Sequence, residues 1–124
     1  MRGPMNILVV SGRSDLWQTL RPQFERRCAS MLAVPTLDDA LSAMQKEQPV
    51  LVVLDLDMNR DELRRAVFQV LSVSAMIHTA AVSSMSPEDF HDAMEGLGML
   101  TSLPTTPTTA DIDALMDALA KVTG

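Results

Sequence analysis

Asp55 is the residue whose type and position offer the clearest chemistry, because this carboxylate ends a continuous apolar run at residues 50–54. A run of branched apolar residues is typical of a strand buried on both faces of a parallel sheet. Open α/β sheets bind their ligands at the carboxyl ends of such strands. A structural interpretation stays open beside this one, in which Asp55 and Asp57 only accept hydrogen bonds from the free N–H groups of the next helix.

The sulfur and imidazole side chains give little sign of a further site. Cys28 is the only cysteine, which excludes a disulfide framework and favours the reducing cytoplasm. We expect it to be a small buried apolar residue. His78 and His91 do not stand at a metal-ligand spacing from it.

Length and charge exclude several classes of protein. The 124 residues are 47% hydrophobic and 21% charged, which predicts one globular domain over residues 1–124. No apolar run approaches the roughly 20 residues that a membrane span needs, and residues 1–5 are too short and polar for a signal peptide. The net charge is −6, without the basic patch of a nucleic-acid binder. We therefore expect a cytoplasmic domain that binds neither nucleic acid nor membrane.

Strand and helix patterns alternate along the chain. Helix caps are predicted at Ser14, Thr36, Asn59 and Thr108, with Pro87 opening the fourth helix, while Pro22 should kink or end the first. Right-handed crossovers between such elements give a three-layer α/β sandwich around one parallel sheet. The five predicted strands cover residues 6–10, 31–34, 50–54, 76–82 and 99–103.

The whole chain resembles the receiver domain of two-component response regulators, the CheY-like superfamily. The best matches are residues 6–10, 48–58 and 96–104. The resemblance implies a flavodoxin-like sheet in the order 2-1-3-4-5 with five helices. It also implies that Asp55 accepts a phosphoryl group from a histidine kinase and that Ser83, or Ser84 in a shifted register, contacts that group. From the residues alone, Ser83 is equally well a turn former at a strand end.

Four positions depart from the pattern of that family. Ser11 and Gly12 occupy the positions of the acidic pair that holds Mg²⁺, Leu103 that of the lysine, and Leu100 that of the aromatic switch. Phosphoryl transfer depends on positioning and charge neutralisation, so these losses remove most of the catalytic help. Asp55 and Asp57 could still hold Mg²⁺ weakly; otherwise no cofactor is expected.

We therefore predict a degenerate receiver that is not an enzyme and that acts through protein contacts. Its partner would be a signalling protein, either a histidine kinase or an output protein. A homodimer would form through helix 4, strand 5 and helix 5, a surface predicted to carry Met94, Leu97, Met99 and Met116. Two alternatives remain: a working phospho-acceptor at Asp55 with an altered metal site, and a flavodoxin-like binder of FMN or phosphate through Ser11-Gly12-Arg13-Ser14.

Overall fold

The computed structural model describes residues 5–123 and contains one five-stranded parallel sheet in the order β2-β1-β3-β4-β5. This confirms the predicted α/β sandwich and its strand order. The proposed bounds of the domain, 1–124, and the expectation about residues 1–5 extend outside the described residues. The strands are β1 Met5–Ser11, β2 Ala29–Val34, β3 Leu51–Asp55, β4 His78–Val82 and β5 Thr101–Leu103; the helices are α1 Ser14–Arg26, α2 Leu37–Lys46, α3 Arg60–Val73, α4 Pro87–Ala93 and α5 Thr109–Thr123.

Two apolar layers enclose the sheet, as the alternation of side chains along β1 shows. Ile7 and Val9 pack against α1 and α5 on one face. Leu8 and Val10 pack against α2, α3 and α4 on the other. β1 and β3 lie in the middle of the sheet and are buried on both faces, so their carboxyl ends are held in fixed positions.

Several strands begin at other residues than the pattern predicts. β2 begins at Ala29 because Met5 of β1 pairs with it. β4 begins at His78, which pairs with Leu51, the first residue of β3. Pairing with a neighbour, which apolar runs do not encode, therefore fixes where these strands start. Gly96 and Gly98 adopt φ values of 88° and 65°, a left-handed geometry that turns the chain between α4 and β5.

The predicted end of the helix at Pro22 is wrong, because α1 continues through it to Arg26, whereas the alternative of a kink stays a prediction. Trp17, Leu20 and Phe24 are buried on one face of α1, and this packing outweighs the backbone hydrogen bond that proline cannot make. Ser14 is the first helical residue rather than the cap. The predicted side-chain caps at Thr36 and Asn59 are confirmed, the second as a reciprocal capping box with Glu62.

The expectation of a buried Cys28 is also wrong. Cys28 is exposed and adopts a left-handed φ of 59°, and its amide donates to the carbonyl of Glu25. It occupies the tight turn between α1 and β2, where the chain reverses at the surface. Among the described residues, no helix is both long and apolar enough to cross a membrane.

Candidate functional site

Asp55 lies at the carboxyl end of β3, in the middle of the sheet edge where ligands bind in this architecture. Ser11, the last residue of β1, is its partner in the parallel register. Only 9% of the Asp55 side chain is exposed. A carboxylate this buried needs hydrogen-bond partners, and their identity decides what the site can do.

Three side chains bind this carboxylate. Arg13 forms a two-point ion pair, with Nε 3.0 Å from Oδ2 and Nη2 2.8 Å from Oδ1. Ser11 Oγ donates to Oδ2 at 2.7 Å, and the buried indole of Trp17 donates through Nε1 to the same oxygen at 2.8 Å. The interpretation of Asp55 as an acceptor for the N–H groups of α3 is therefore wrong: its partners come from β1, from the turn after it and from α1.

The short connection between β1 and α1 places these donors. Ser11 ends β1, and α1 begins three residues later at Ser14, so Arg13 lies in the turn above the end of β3. The amide of Arg13 donates to Ser11 Oγ at 2.9 Å, which fixes the hydroxyl as a donor to Asp55. Trp17 belongs to the first turns of α1 and is fully buried between that helix and the sheet.

Arg13 also reaches a third segment of the chain. Its Nη1 donates to the carbonyl oxygen of Thr105 at 2.9 Å, in the loop between β5 and α5. One guanidinium therefore connects the β1–α1 turn, the end of β3 and the β5–α5 loop. Its planar arrangement of donors allows these bonds to form together.

The surroundings of Asp55 favour its ionised form. Partial burial alone would raise the pKa of the Asp55 carboxyl. The hydrogen bonds from Arg13, Trp17 and Ser11, with the positive charge of Arg13, act in the opposite direction and outweigh it, so that the pKa of Asp55 is lowered. At neutral pH the Asp55 carboxylate is thus ionised, its charge is compensated by Arg13, and both of its oxygens accept hydrogen bonds.

This arrangement opposes nucleophilic chemistry at Asp55. Oδ2 accepts three hydrogen bonds, and Oδ1 accepts one from Arg13. Oδ1 keeps a second lone pair, but its ion pair with the Arg13 guanidinium makes that oxygen a weaker nucleophile towards phosphorus. Leu103, at the position where the resemblance implies a lysine, is buried in the apolar core and supplies no charge to the site. Leu100 is half-buried against the same core and offers no aromatic ring.

The residues at this end of the sheet offer a divalent cation few side-chain ligands, so that a weak Mg²⁺ site at Asp55 and Asp57 stays a prediction. The described residues contain no group of three His, Cys, Asp or Glu side chains that could hold a metal ion. The hydroxyl of Ser11 donates to Asp55, Oδ2 of Asp55 already accepts three hydrogen bonds, and Gly12 provides no side-chain ligand. The charge that Mg²⁺ would neutralise is neutralised by Arg13.

Asp57, Ser83 and Ser84 line the same groove, of about 810 Å³, as Asp55 and Arg13. Asp57 is exposed. Ser83 Oγ accepts from the amide of Met85 at 3.1 Å, which agrees with its interpretation as a turn former. The structure thus brings the predicted residues to one groove. Direct contacts to Asp55 come from Ser11, Arg13 and Trp17; the sequence named Arg13 only within the candidate phosphate-binding loop and did not name Trp17 as a site residue.

The surface predicted for a homodimer differs in the structure from the methionine-rich surface that the sequence indicated. Met94, Leu97 and Met116 are buried in the two cores, and Met99 is half-buried. Met94 and Leu97 follow α4 and Met116 lies on α5, and because these three side chains are buried they are not available for a contact surface. Exposed residues of α4 and the turn after it are instead mainly acidic: Glu88, Asp89, Asp92 and Glu95.

Comparisons with known proteins identify the fold. No family model and no curated protein matches the sequence. A two-component response regulator from Clostridium difficile superposes with a TM-score of 0.78 at 13% identity, covering 97% of this chain and 99% of the other. A CheY-like protein, TadZ, from Pseudomonas aeruginosa gives a TM-score of 0.70 at 12% identity, covering 96% and 94%. A Burkholderia pseudomallei response regulator with a phosphorylated aspartic acid gives 0.72 at 17% identity, covering 95% and 70%. At these identities the likeness shows the fold alone, which is the CheY-like fold of receiver domains.

Proposed function

We propose that this chain is a receiver-like signalling domain that works through contacts with other proteins and without Mg²⁺-dependent phosphorylation of Asp55. The supporting observation is the engagement of both Asp55 oxygens by the donors of Arg13, with Trp17 and Ser11 completing the shell of Oδ2. The receiver-like fold is kept, but the carboxylate at the end of β3 is paired with the guanidinium of Arg13 from the same chain. On this proposal the domain is not an enzyme.

The energetic argument rests on what phosphorylation would require. Separating Arg13 from Asp55 breaks two charge-assisted hydrogen bonds, each of roughly 1.5–3 kcal/mol when charged groups are involved. Arg13 is 45% exposed, so solvent screening places the loss near the lower end of that range. A phosphoryl group would then lack the charge of a lysine, because Leu103 at that position is buried in the core.

Intact-mass spectrometry after incubation with acetyl phosphate and Mg²⁺ tests this proposal. We expect no adduct on the native chain under conditions that phosphorylate a standard receiver domain run in parallel. An adduct of one phosphoryl group that is absent in Asp55→Asn but present in Asp57→Asn would overturn the proposal and establish Asp55 as an acceptor.

The proposed partner is a signalling protein of the cytoplasm, either a histidine kinase or an output protein. Because Asp55 is paired with Arg13, binding of that partner should not depend on a phosphoryl donor. Affinity capture with the native chain as bait, with and without acetyl phosphate and Mg²⁺, should recover the same partner in equal amounts. A partner recovered only with the phosphoryl donor would contradict the proposal.

The binding of FMN or phosphate through Ser11-Gly12-Arg13-Ser14 stays a prediction with less support. The amide of Arg13 is already used by Ser11 Oγ, and its guanidinium by Asp55. A purified chain with flavin absorbance would favour this function.

A further inference from the structure

The guanidinium of Arg13 forms the clearest contact between the buried carboxylate and a surface loop. Its Nε and Nη2 point to Asp55, while Nη1 points to the carbonyl oxygen of Thr105. Among the described residues, no other side-chain hydrogen bond reaches residues 104–106. Thr105 and Thr106 are exposed, so apolar packing does little to hold them.

Planarity makes the two contacts of Arg13 depend on each other. A guanidinium presents its donors in fixed directions within one plane. Once Nε and Nη2 are aligned on the two oxygens of Asp55, the direction of Nη1 is set, and it meets Thr105 at 2.9 Å. Without the carboxylate, the long side chain of Arg13 regains its rotamers and loses that alignment.

We propose that Arg13 is a positioning residue that couples the charged Asp55 carboxylate to the β5–α5 loop and holds that loop in one conformation. This coupling rests on the proposed function, because it requires that Asp55 stay unmodified and paired with Arg13. The loop leads directly into α5, which packs against α1 and the sheet through Ile112, Leu115 and Leu119. A change of charge at Asp55 would thus reach the surface at the start of α5.

NMR relaxation of the Thr105 and Thr106 amides tests the coupling. In the native chain we expect order parameters near 0.85, and in Arg13→Ala we expect values below about 0.6. Asp55→Asn should loosen the same two amides, although it alters neither Arg13 nor the loop. Asp57→Asn is the matched control, since it removes a neighbouring charge that lines the same groove but does not contact Arg13.

The double variant Arg13→Ala/Asp55→Asn separates coupling from independent effects. If Arg13 carries the coupling, the order parameters of the double variant equal those of Arg13→Ala alone. Effects of the two substitutions that add, or order parameters unchanged in Arg13→Ala, would overturn the proposal.

Arg13→Lys guards against a variant that does not fold and separates charge from geometry. Lysine keeps the positive charge beside Asp55 but lacks the planar set of donors. We expect it to preserve the fold, as judged by the amide spectrum of β1 and β3, and still to loosen Thr105. An Arg13→Lys loop as ordered as the native one would overturn the coupling. Phosphorylation of the native chain is read separately by mass, so failure of the proposed function is distinguishable from failure of the coupling.

Discussion

At the scale of single residues, Asp55 shows how the surroundings of a carboxylate determine its chemistry. Burial of a charge is costly unless it is paired and hydrogen-bonded. Here Arg13 supplies the opposite charge, while Ser11 and Trp17 donate further hydrogen bonds to Oδ2. A metal-bound carboxylate leaves an oxygen for reaction, whereas this one is held as the acceptor of a structural ion pair.

The stability contributed by Asp55 should depend on pH. Because the folded chain lowers the pKa of Asp55, its ionisation stabilises the folded state above the unfolded pKa of about 3.9. This stabilisation is lost as pH falls through the lower folded pKa. At pH 7 we expect Asp55→Asn to reduce the free energy of unfolding by about 1–3 kcal/mol. Below about pH 4 the difference between the two proteins should shrink.

Urea unfolding of both proteins between neutral and acidic pH measures this difference. Asp57→Asn serves as the control, and its exposed site predicts a change within about 0.5 kcal/mol. A difference between native chain and Asp55→Asn that grows towards low pH would contradict the ion pair.

Trp17→Phe should weaken both the packing and the electrostatics of the site. The substitution removes the indole donor to Asp55 and leaves a small void in a fully buried position. We expect a loss of about 1–3 kcal/mol and a higher pKa of Asp55, followed by NMR titration of its carboxyl carbon. Leu20→Ala provides the contrast, since it removes buried volume from the same helix without touching Asp55. If both variants raised the pKa of Asp55 equally, the indole would not be the cause.

The sequence predicted part of this site, and the missing part has a physical reason. Asp55 was found because it ends a buried strand, and Ser11 and Gly12 were named because the resemblance to receiver domains places an acidic pair at those positions. The contacts of Arg13 and Trp17 with Asp55 were missed because these residues lie 42 and 38 positions before Asp55 in the chain, and no local pattern links them to it. The sequence placed Trp17 beside the apolar stripe of the helix, and its ring is indeed buried. That pattern does not indicate that its N–H donates to Asp55. The pairing of Ser11 with Asp55 was the available signal, since it places the β1–α1 turn above β3.

At the scale of elements, local signals predicted helices better than strand ends. Thr36 and Asn59 cap their helices as the sequence indicated, because a cap depends on residues within one turn. Strand ends depend on a neighbour that is distant in sequence, so β4 and β5 begin two residues later than the apolar runs predict. Pro22 combines both effects: the local rule predicts a break, and the buried face of α1 overrides it.

Replacing Pro22 should therefore stabilise α1. Pro22 is exposed and lies in the interior of the helix, where it lacks the amide that would bind the preceding turn. Alanine restores that donor, which stabilises the helix, whereas the greater flexibility of the unfolded chain offsets part of the gain. We therefore expect Pro22→Ala to raise the free energy of unfolding by about 1–2 kcal/mol. Thermal unfolding followed by circular dichroism measures the gain, with the exposed helical Gln45→Ala as control. An unchanged or lower melting temperature would show that Pro22 does not destabilise α1.

At the scale of the whole molecule, the fold follows from the alternation of strands and helices along the chain. Apolar strand runs separated by amphipathic helices allow few arrangements other than a parallel sheet covered on both faces. The surface is less predictable, because one methionine pattern serves a core or an interface equally well. Burial of Met94 and Met116 assigns those residues to the core and leaves α4 with an acidic exposed face.

Self-association should consequently be opposed by charge. A homodimer through α4, β5 and α5 would bring identical surfaces together, and each copy carries a net charge of −6. We expect a monomer at low salt, and any dimer should strengthen as added salt shortens the Debye length from about 30 Å at 0.01 M to about 8 Å at 0.15 M. Sedimentation velocity at these two ionic strengths measures the effect. Glu95→Gln should shift the equilibrium towards the dimer only if that face is the contact. A dimer that is stable at 0.01 M and dissociates with salt would instead require an interface between opposite charges.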